Sequence, residues 1–227
     1  MIPAIIFFFL KRYKRRNPSE AERIQLFINK TGKTVALVVL SIAISVFATS
    51  QEKKLDYQIK RNGSVVGNVH FTQNSSGNRT TLKMESEVKT RFIFLFTAKA
   101  QEEAIYDNGI MTWSSIYRKM NGTVKIDKKT KAIGNSYTVF KGGNKETINN
   151  YPISYNMLSI YAAEPVNIQK VYSDNFQQLL DIHKLAPHHY KINFPDGNYN
   201  EYFYNSNVCS KIEIHHSLYS ATIELKM

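Results

Sequence analysis

"TRFIFLFTAKAQEEAIYDNGIMTWSSIYRKMNG", residues 90–122, holds five large apolar residues in a row and then a turn signal, Asn108-Gly109. Successive side chains of a strand point to opposite faces, so Phe92, Phe94 and Phe96 share one face while Ile93 and Leu95 share the other. Asn108-Gly109 accepts the positive φ angles of a two-residue hairpin loop, which makes the flanking halves antiparallel partners. Through such a loop Tyr106 faces Met111, Ala104 faces Trp113 and Ala100 faces Tyr117, all on the face of Phe92, Phe94 and Phe96. Lys99, Gln101, Glu103, Thr112, Ser114 and Arg118 fall on the opposite face, which belongs in water. Ile93 and Leu95 interrupt that wet face and need a cap.

The same punctuation recurs at Asn62-Gly63, Asn121-Gly122, Gly142-Gly143 and Asp196-Gly197, between segments of period two. "YPISYNMLSIYAAEP", residues 151–165, stands apart. Pro152 suits a first helical position, Ile153, Met157, Ile160 and Tyr161 recur at helical spacing, and Pro165 ends the run. This helix is the expected cap for Ile93 and Leu95. "KVYS", "QQLLDIHK", "HHYKINF", "NYNEYFY", "VCSKIEIHH" and "YSATIEL" then follow as strands joined by short turns. The expectation is an all-β fold: an antiparallel meander of about ten strands curled into a half-barrel or open β-barrel with one short helix.

Residues 34–48, "TVALVVLSIAISVFA", form an apolar run behind Lys30 and Lys33, and Ala48-Thr49-Ser50 supplies small residues before the polar "QEKKLDY". This reads as a basic leader and signal peptide over residues 1–50, cut between Ser50 and Gln51, with residues 51–227 as a single β domain. The run is short of the ~20 apolar residues of a spanning helix. "IPAIIFFFL" at residues 2–10 is shorter still, and the segment ahead of the signal reads as a start placed too far upstream. The sole cysteine, Cys209, excludes an internal disulfide, and no cysteine follows the apolar run to carry a lipid anchor. The expected location is therefore periplasmic or secreted, without a membrane span after cleavage.

Charge follows the same division. The +12 of the whole chain rests on 30 Lys/Arg against 18 Asp/Glu. Eight of those basic and two of those acidic residues precede residue 51, leaving 22 against 16 in the domain. That mild excess is spread along the strands, whereas a nucleic-acid surface clusters it, so no nucleic-acid partner is expected.

Catalytic and metal motifs are missing. There is no Gly-x-Ser-x-Gly elbow, phosphate-binding glycine loop or His-Glu-x-x-His. His188-His189 and His215-His216 are adjacent pairs whose members point to opposite faces of a strand, so neither pair chelates an ion alone. No cofactor and no metal are expected. Glu201 stands out because a two-residue loop at Asp196-Gly197 sets it opposite Ile192, with Tyr199 opposite Phe194 and Phe203 opposite Tyr190. A carboxylate among apolar neighbours is able to hold a ligand's polar group.

At "LSIYAAEP" (158–165), "VYSDNFQQLLDI" (171–182), "YKINFPDGNYNEYFYNSNVCSKIEI" (190–214), "YQIKRNGSVVGNVHF" (57–71) and "NGIMTWSSIYRKMNG" (108–122), the chain resembles a family of uncharacterised exported bacterial proteins. The resemblance spans Leu55 to Met227 and implies a curved antiparallel sheet or open barrel from the Gram-negative envelope. It carries no activity and no catalytic residues.

The leading expectation is an exported, non-catalytic envelope protein that binds an apolar or amphipathic small molecule, or a partner protein, on a concave aromatic face. The candidate site is Phe92, Phe94, Phe96, Trp113, Tyr117, Tyr199, Glu201 and Phe203. The alternative is a structural or assembly factor that docks other envelope proteins through sheet edges, with a hydrolase third.

Overall fold

The computed structural model describes residues 51–91, 95–141, 143–148 and 152–226. They form one antiparallel sheet of fourteen strands. The first eight are β1 (Gln51–Arg61), β2 (Ser64–Ser76), β3 (Arg79–Arg91), β4 (Leu95–Asp107), β5 (Ile110–Met120), β6 (Thr123–Ile133), β7 (Ser136–Lys141) and β8 (Asn144–Ile148). A crossing segment, 152–169, contains the one-turn helix α1 (Ser159–Ala162). The chain then continues through β9 (Lys170–Ser173), β10 (Gln178–Ala186), β11 (His189–Asn193), β12 (Tyr199–Asn205), β13 (Val208–His216) and β14 (Tyr219–Leu225).

Each half is a meander, and β1 joins them by pairing with β14, so the strand order runs from β8 through β1 and β14 to β9. Asn62, Asn108 and Asn121 take positive φ as the Asn-Gly turns require, and Gly109 sits at φ +75°. The count exceeds ten because further tight turns, at Gly77-Asn78 and Gly134-Asn135, divide the longer segments.

The sheet is open but strongly curled. Thr130 Oγ1 on β6 lies 2.9 Å from the hydroxyl of Tyr172 on β9, although those strands stand far apart in the strand order. One apolar cluster accordingly gathers Tyr57, Phe71, Leu82, Tyr106, Met111 and Tyr137 from the first half with Tyr172, Tyr190, Ile192, Tyr202 and Ile212 from the second.

The concave side is filled by the crossing segment. Ile153, Tyr155, Leu158, Ile160 and Tyr161 are all buried. Tyr161 stacks on Phe71 at 5.7 Å and meets Tyr57 edge-on at 5.4 Å. The expected helix over 151–165 is thus reduced to one turn, and for a reason. The backbone of 153–157 is committed sideways: Met111 N donates to Ile153 O, Tyr172 N to Tyr155 O, and Met157 N to Tyr172 O. A residue bonded to a neighbouring strand cannot also bond within a helix. The segment also packs inside the sheet, not over Leu95, which remains 53% exposed on the outer face; Ile93 lies outside the described residues.

Buried tyrosine hydroxyls tie the interior together, strand to strand at Tyr57 and Tyr137, within the crossing segment at Tyr155, and segment to wall at Tyr204. Tyr57 donates to Cys209 O (2.9 Å), Tyr137 to Met111 O (2.7 Å), Tyr155 to Ala163 O (2.7 Å) and Tyr204 to Ile160 O (3.1 Å). Each satisfies a carbonyl whose burial without a partner would cost roughly 1 to 3 kcal/mol.

Candidate functional site

Tyr199, Glu201 and Phe203 lie together on β12, but on the outer face. The ladder pairs Asn193 with Tyr199, Lys191 with Glu201 and His189 with Phe203, one position away from the two-residue-loop register. Pro195 is the cause. It occupies the second position of a turn closed by Gly197 N donating to Phe194 O, with Gly197 at φ +83°, and this wider loop slips the register. A one-residue slip exchanges the faces, so Glu201 leaves Ile192 and Tyr190 and meets His189 Nε2 at 2.7 Å.

Both outer rings are sandwiched by neighbours. Phe203 lies between the ring of His189, 4.2 Å away, and Lys211 Nζ, 4.1 Å from its centroid. Tyr199 lies between His215 at 4.3 Å and Lys191 Nζ at 3.7 Å. Lys211 also bonds Glu213 at 2.8 Å. That bond holds the Glu213 carboxyl below its ordinary range. The result is a charged lattice over two aromatic rings, already engaged on both faces by the protein's own side chains.

Trp113 and Tyr117 are also turned outward. Ile105 pairs with Trp113 but Tyr106 pairs with Met111, leaving Thr112 as an extra residue in β5. This bulge moves Ser114 opposite Ala104 and Arg118 opposite Ala100, on the inner face, and places Trp113 and Tyr117 outside. Phe96 alternates with the buried Ala100 and Ala104 and so belongs to the inner face. The expected aromatic site is therefore not assembled: Phe96 is inside, Trp113, Tyr117, Tyr199, Glu201 and Phe203 are outside on two halves, and Phe92, Phe94 and Ser50 lie outside the described residues. Gln51 opens β1.

What the bulge assembles inside is a buried polar network. Asp174, at the end of β9, accepts from Ser114 and from Asn156 Nδ2 (3.1 Å). The Tyr106 hydroxyl donates to Asn156 Oδ1 (2.8 Å) and lies 2.9 Å from Ser159 Oγ. Ser114 and Asn156 are fully buried. Burial pushes the Asp174 carboxyl up, the hydrogen bond from Ser114 pulls it down and the charge of Glu102 pushes it up again, for a net rise to about 7. Glu102 is raised by burial and partly restored by Arg118, whose Nη2 lies 3.3 Å away. Asp174, Asn156, Ser114, Glu102 and Arg118 were not singled out by the sequence, since the outward assignment of Ser114 and Arg118 followed from a bulge-free hairpin.

A second junction ties the crossing segment to the opposite wall. Glu164 accepts from the Tyr190 hydroxyl (2.6 Å) and pairs with His188 Nδ1 (2.9 Å), while its backbone N donates to Asn207 Oδ1. Cys209 is buried, and burial pushes its thiol up to about 12, so it is a packed group and not a nucleophile. Among the described residues no cluster of His, Cys, Asp or Glu is placed to hold a metal ion, and no helix is long and apolar enough to cross a membrane.

Fold and site together define an open, curled antiparallel sheet whose concave side is filled by its own crossing segment. The chain belongs to the family described as a domain of unknown function, DUF6134, whose model matches residues 57–226. Among solved structures it is similar to the beta-barrel-like protein of domain of unknown function DUF1849 from Brucella abortus, at 10% identity and a TM-score of 0.49, covering 78% of this chain and 95% of that one. A comparison with curated proteins gives no match.

Proposed function

We propose that this chain is an exported structural module of the bacterial envelope that works through its outer surface, its interior being reserved for its own core. The observation that carries this is the crossing segment, whose Ile153, Leu158 and Ile160 occupy the concave side where an apolar ligand would sit. Ala100 and Ala104, which would leave room between rings in an open groove, are 7% and 0% exposed. Export is supported by the apolar run 34–48 and the small residues before Gln51.

Titration with an environment-sensitive apolar dye, together with mass spectrometry of gently extracted protein, tests the reading. It expects no saturable dye binding and no lipid left on the protein once salt and mild detergent have stripped its surface. Saturable binding that a released lipid competes away would overturn it in favour of a carrier.

A further inference from the structure

Antiparallel hairpins alternate between the two ends of a sheet, so the β1–β2, β5–β6 and β13–β14 turns and the Arg91–Leu95 rung of β3 and β4 share one end. Within the last two rungs at that end, three successive hairpins carry the same kind of cross-strand pair: Lys60 with Val65, next to Arg61 with Ser64; Arg91 with Leu95; and Lys119 with Val124, next to Met120 with Thr123. Strand alternation from the buried Ile59, Leu82 and Ile116 puts all three pairs on the outer face. In two of the hairpins a register shift, at Ile59/Lys60 and at Arg118/Lys119, immediately precedes the pair.

The aliphatic members face water: Val65 and Leu95 are 53% exposed and Val124 46%, and Leu218 in the β13–β14 turn is 83% exposed. The cations are in excess. Lys60 bonds Glu224 at 2.6 Å, but Lys89, Arg91, Lys119 and Lys125 form no ion pair among the described residues.

We propose that this rim docks the domain on the surface of a bilayer rich in anionic lipid, with Val65, Leu95, Val124 and Leu218 in the headgroup region and Arg91, Lys119 and Lys125 on lipid phosphates. The charge pattern selects the occupant. Pairs two strands apart are spaced by about 10 Å across the strands, and Lys119, level with Lys99, sits four residues further along the strands than Leu95, so cations and aliphatics are interspersed along a slanting line, the composition of an interfacial anchor. A protein partner is met by a continuous apolar patch depleted of lysine, and a nucleic acid has no use for exposed valine and leucine. The inference rests on the export reading, which supplies a bilayer, and is independent of whether the core is closed.

The test uses the full chain carrying Trp113→Phe and Val124→Trp, so that the single tryptophan reports from the rim and not from the N-terminal apolar run. Phosphatidylglycerol vesicles with brominated acyl chains should quench it, brominated phosphatidylcholine vesicles should not, and high salt should reverse the quenching. Arg91→Glu with Lys119→Glu should weaken the effect at least about thirtyfold, with the circular dichroism spectrum unchanged. Leu218→Asp, at a position too exposed to endanger the fold, should weaken it severalfold. Co-sedimentation with phosphatidylglycerol vesicles without quenching at position 124 would overturn the proposal, because the chain would then be held elsewhere. No association at low salt would overturn it equally and leave an acidic protein surface as what the rim fits. Neither result alters the dye titration, so the two readings fail separately.

Discussion

Asp174 should make the protein less stable as pH rises toward neutrality. Its carboxyl moves from an ordinary 3.8 to about 7 in the fold, chiefly through burial. Between those values the folded chain holds a proton that the unfolded chain has released, so raising the pH favours unfolding. Each pH unit in that window costs about 1.4 kcal/mol, and the decline from about pH 5 to about pH 7 amounts to roughly 2 to 3 kcal/mol. Above about 7 both states are ionised and the slope vanishes. Asp174→Asn removes the titration while keeping both contacts, since an amide accepts from Asn156 through oxygen and donates to the Ser114 hydroxyl through nitrogen. Urea melts of both proteins across this range supply the test. Imidazoles titrate in the same interval, and Glu102 is displaced in the same direction as Asp174, so the difference between the two curves is the quantity of interest. The variant should gain on the parent as pH rises and should be the more stable of the two near pH 7. Parallel curves would mean that Asp174 reaches water and titrates alike in both states.

Tyr161→Ala, which removes a ring packed on Tyr57 and Phe71, should lower the unfolding free energy by roughly 3 to 5 kcal/mol in denaturant melts. Glu164→Gln should cost roughly 1 to 2 kcal/mol by removing the charge that strengthens the contacts with Tyr190 and His188. Burial raises the Glu164 carboxyl, but hydrogen bonds from Tyr190 and His188 outweigh it and leave a net lowering. The parent therefore loses this contribution as pH falls below the ordinary carboxylate range, and the variant should lack that part of its acid sensitivity. At Gly67, a Cβ would run into the carbonyl oxygen of Glu87 on β3, so Gly67→Ala should cost roughly 1 to 3 kcal/mol and lower the melting temperature.

Hairpins were legible because an Asn-Gly pair is a local signal: Asn62, Asn108 and Asn121 need only their own positive φ to turn the chain. The family resemblance and the antiparallel, curled all-β class follow the same turns and agree with the structure. Faces were less legible, because a face depends on every residue between the turn and the position of interest. Thr112 inserts one residue into β5, and Pro195 widens one loop, and each step reverses the side on which all later residues fall. Hence Trp113, Tyr117 and Glu201 moved outward while Ser114 and Arg118 moved inward. Pro195 was a visible signal, since proline ahead of Asp-Gly favours a longer turn than the bare dipeptide. Thr112 carried no comparable mark. The crossing segment misled for a different reason. Its apolar spacing suits a helix, but its backbone partners, Met111 and Tyr172, are 42 and 17 residues from Ile153 and Tyr155 along the chain, and pattern within the segment does not encode them.

The crossing segment packs as core and not as a lid, a difference that amide hydrogen exchange measures. Tyr172 N and Met157 N, bonded to Tyr155 O and Tyr172 O, belong to the segment's own backbone pairing. They should exchange only through global opening, with the same free energy and the same denaturant dependence as the ladder amides of β1 and β2. Exchange of these two amides through a low-energy opening that denaturant leaves unchanged, while the β1 and β2 amides stay protected, would contradict it and make the segment a lid over an accessible groove.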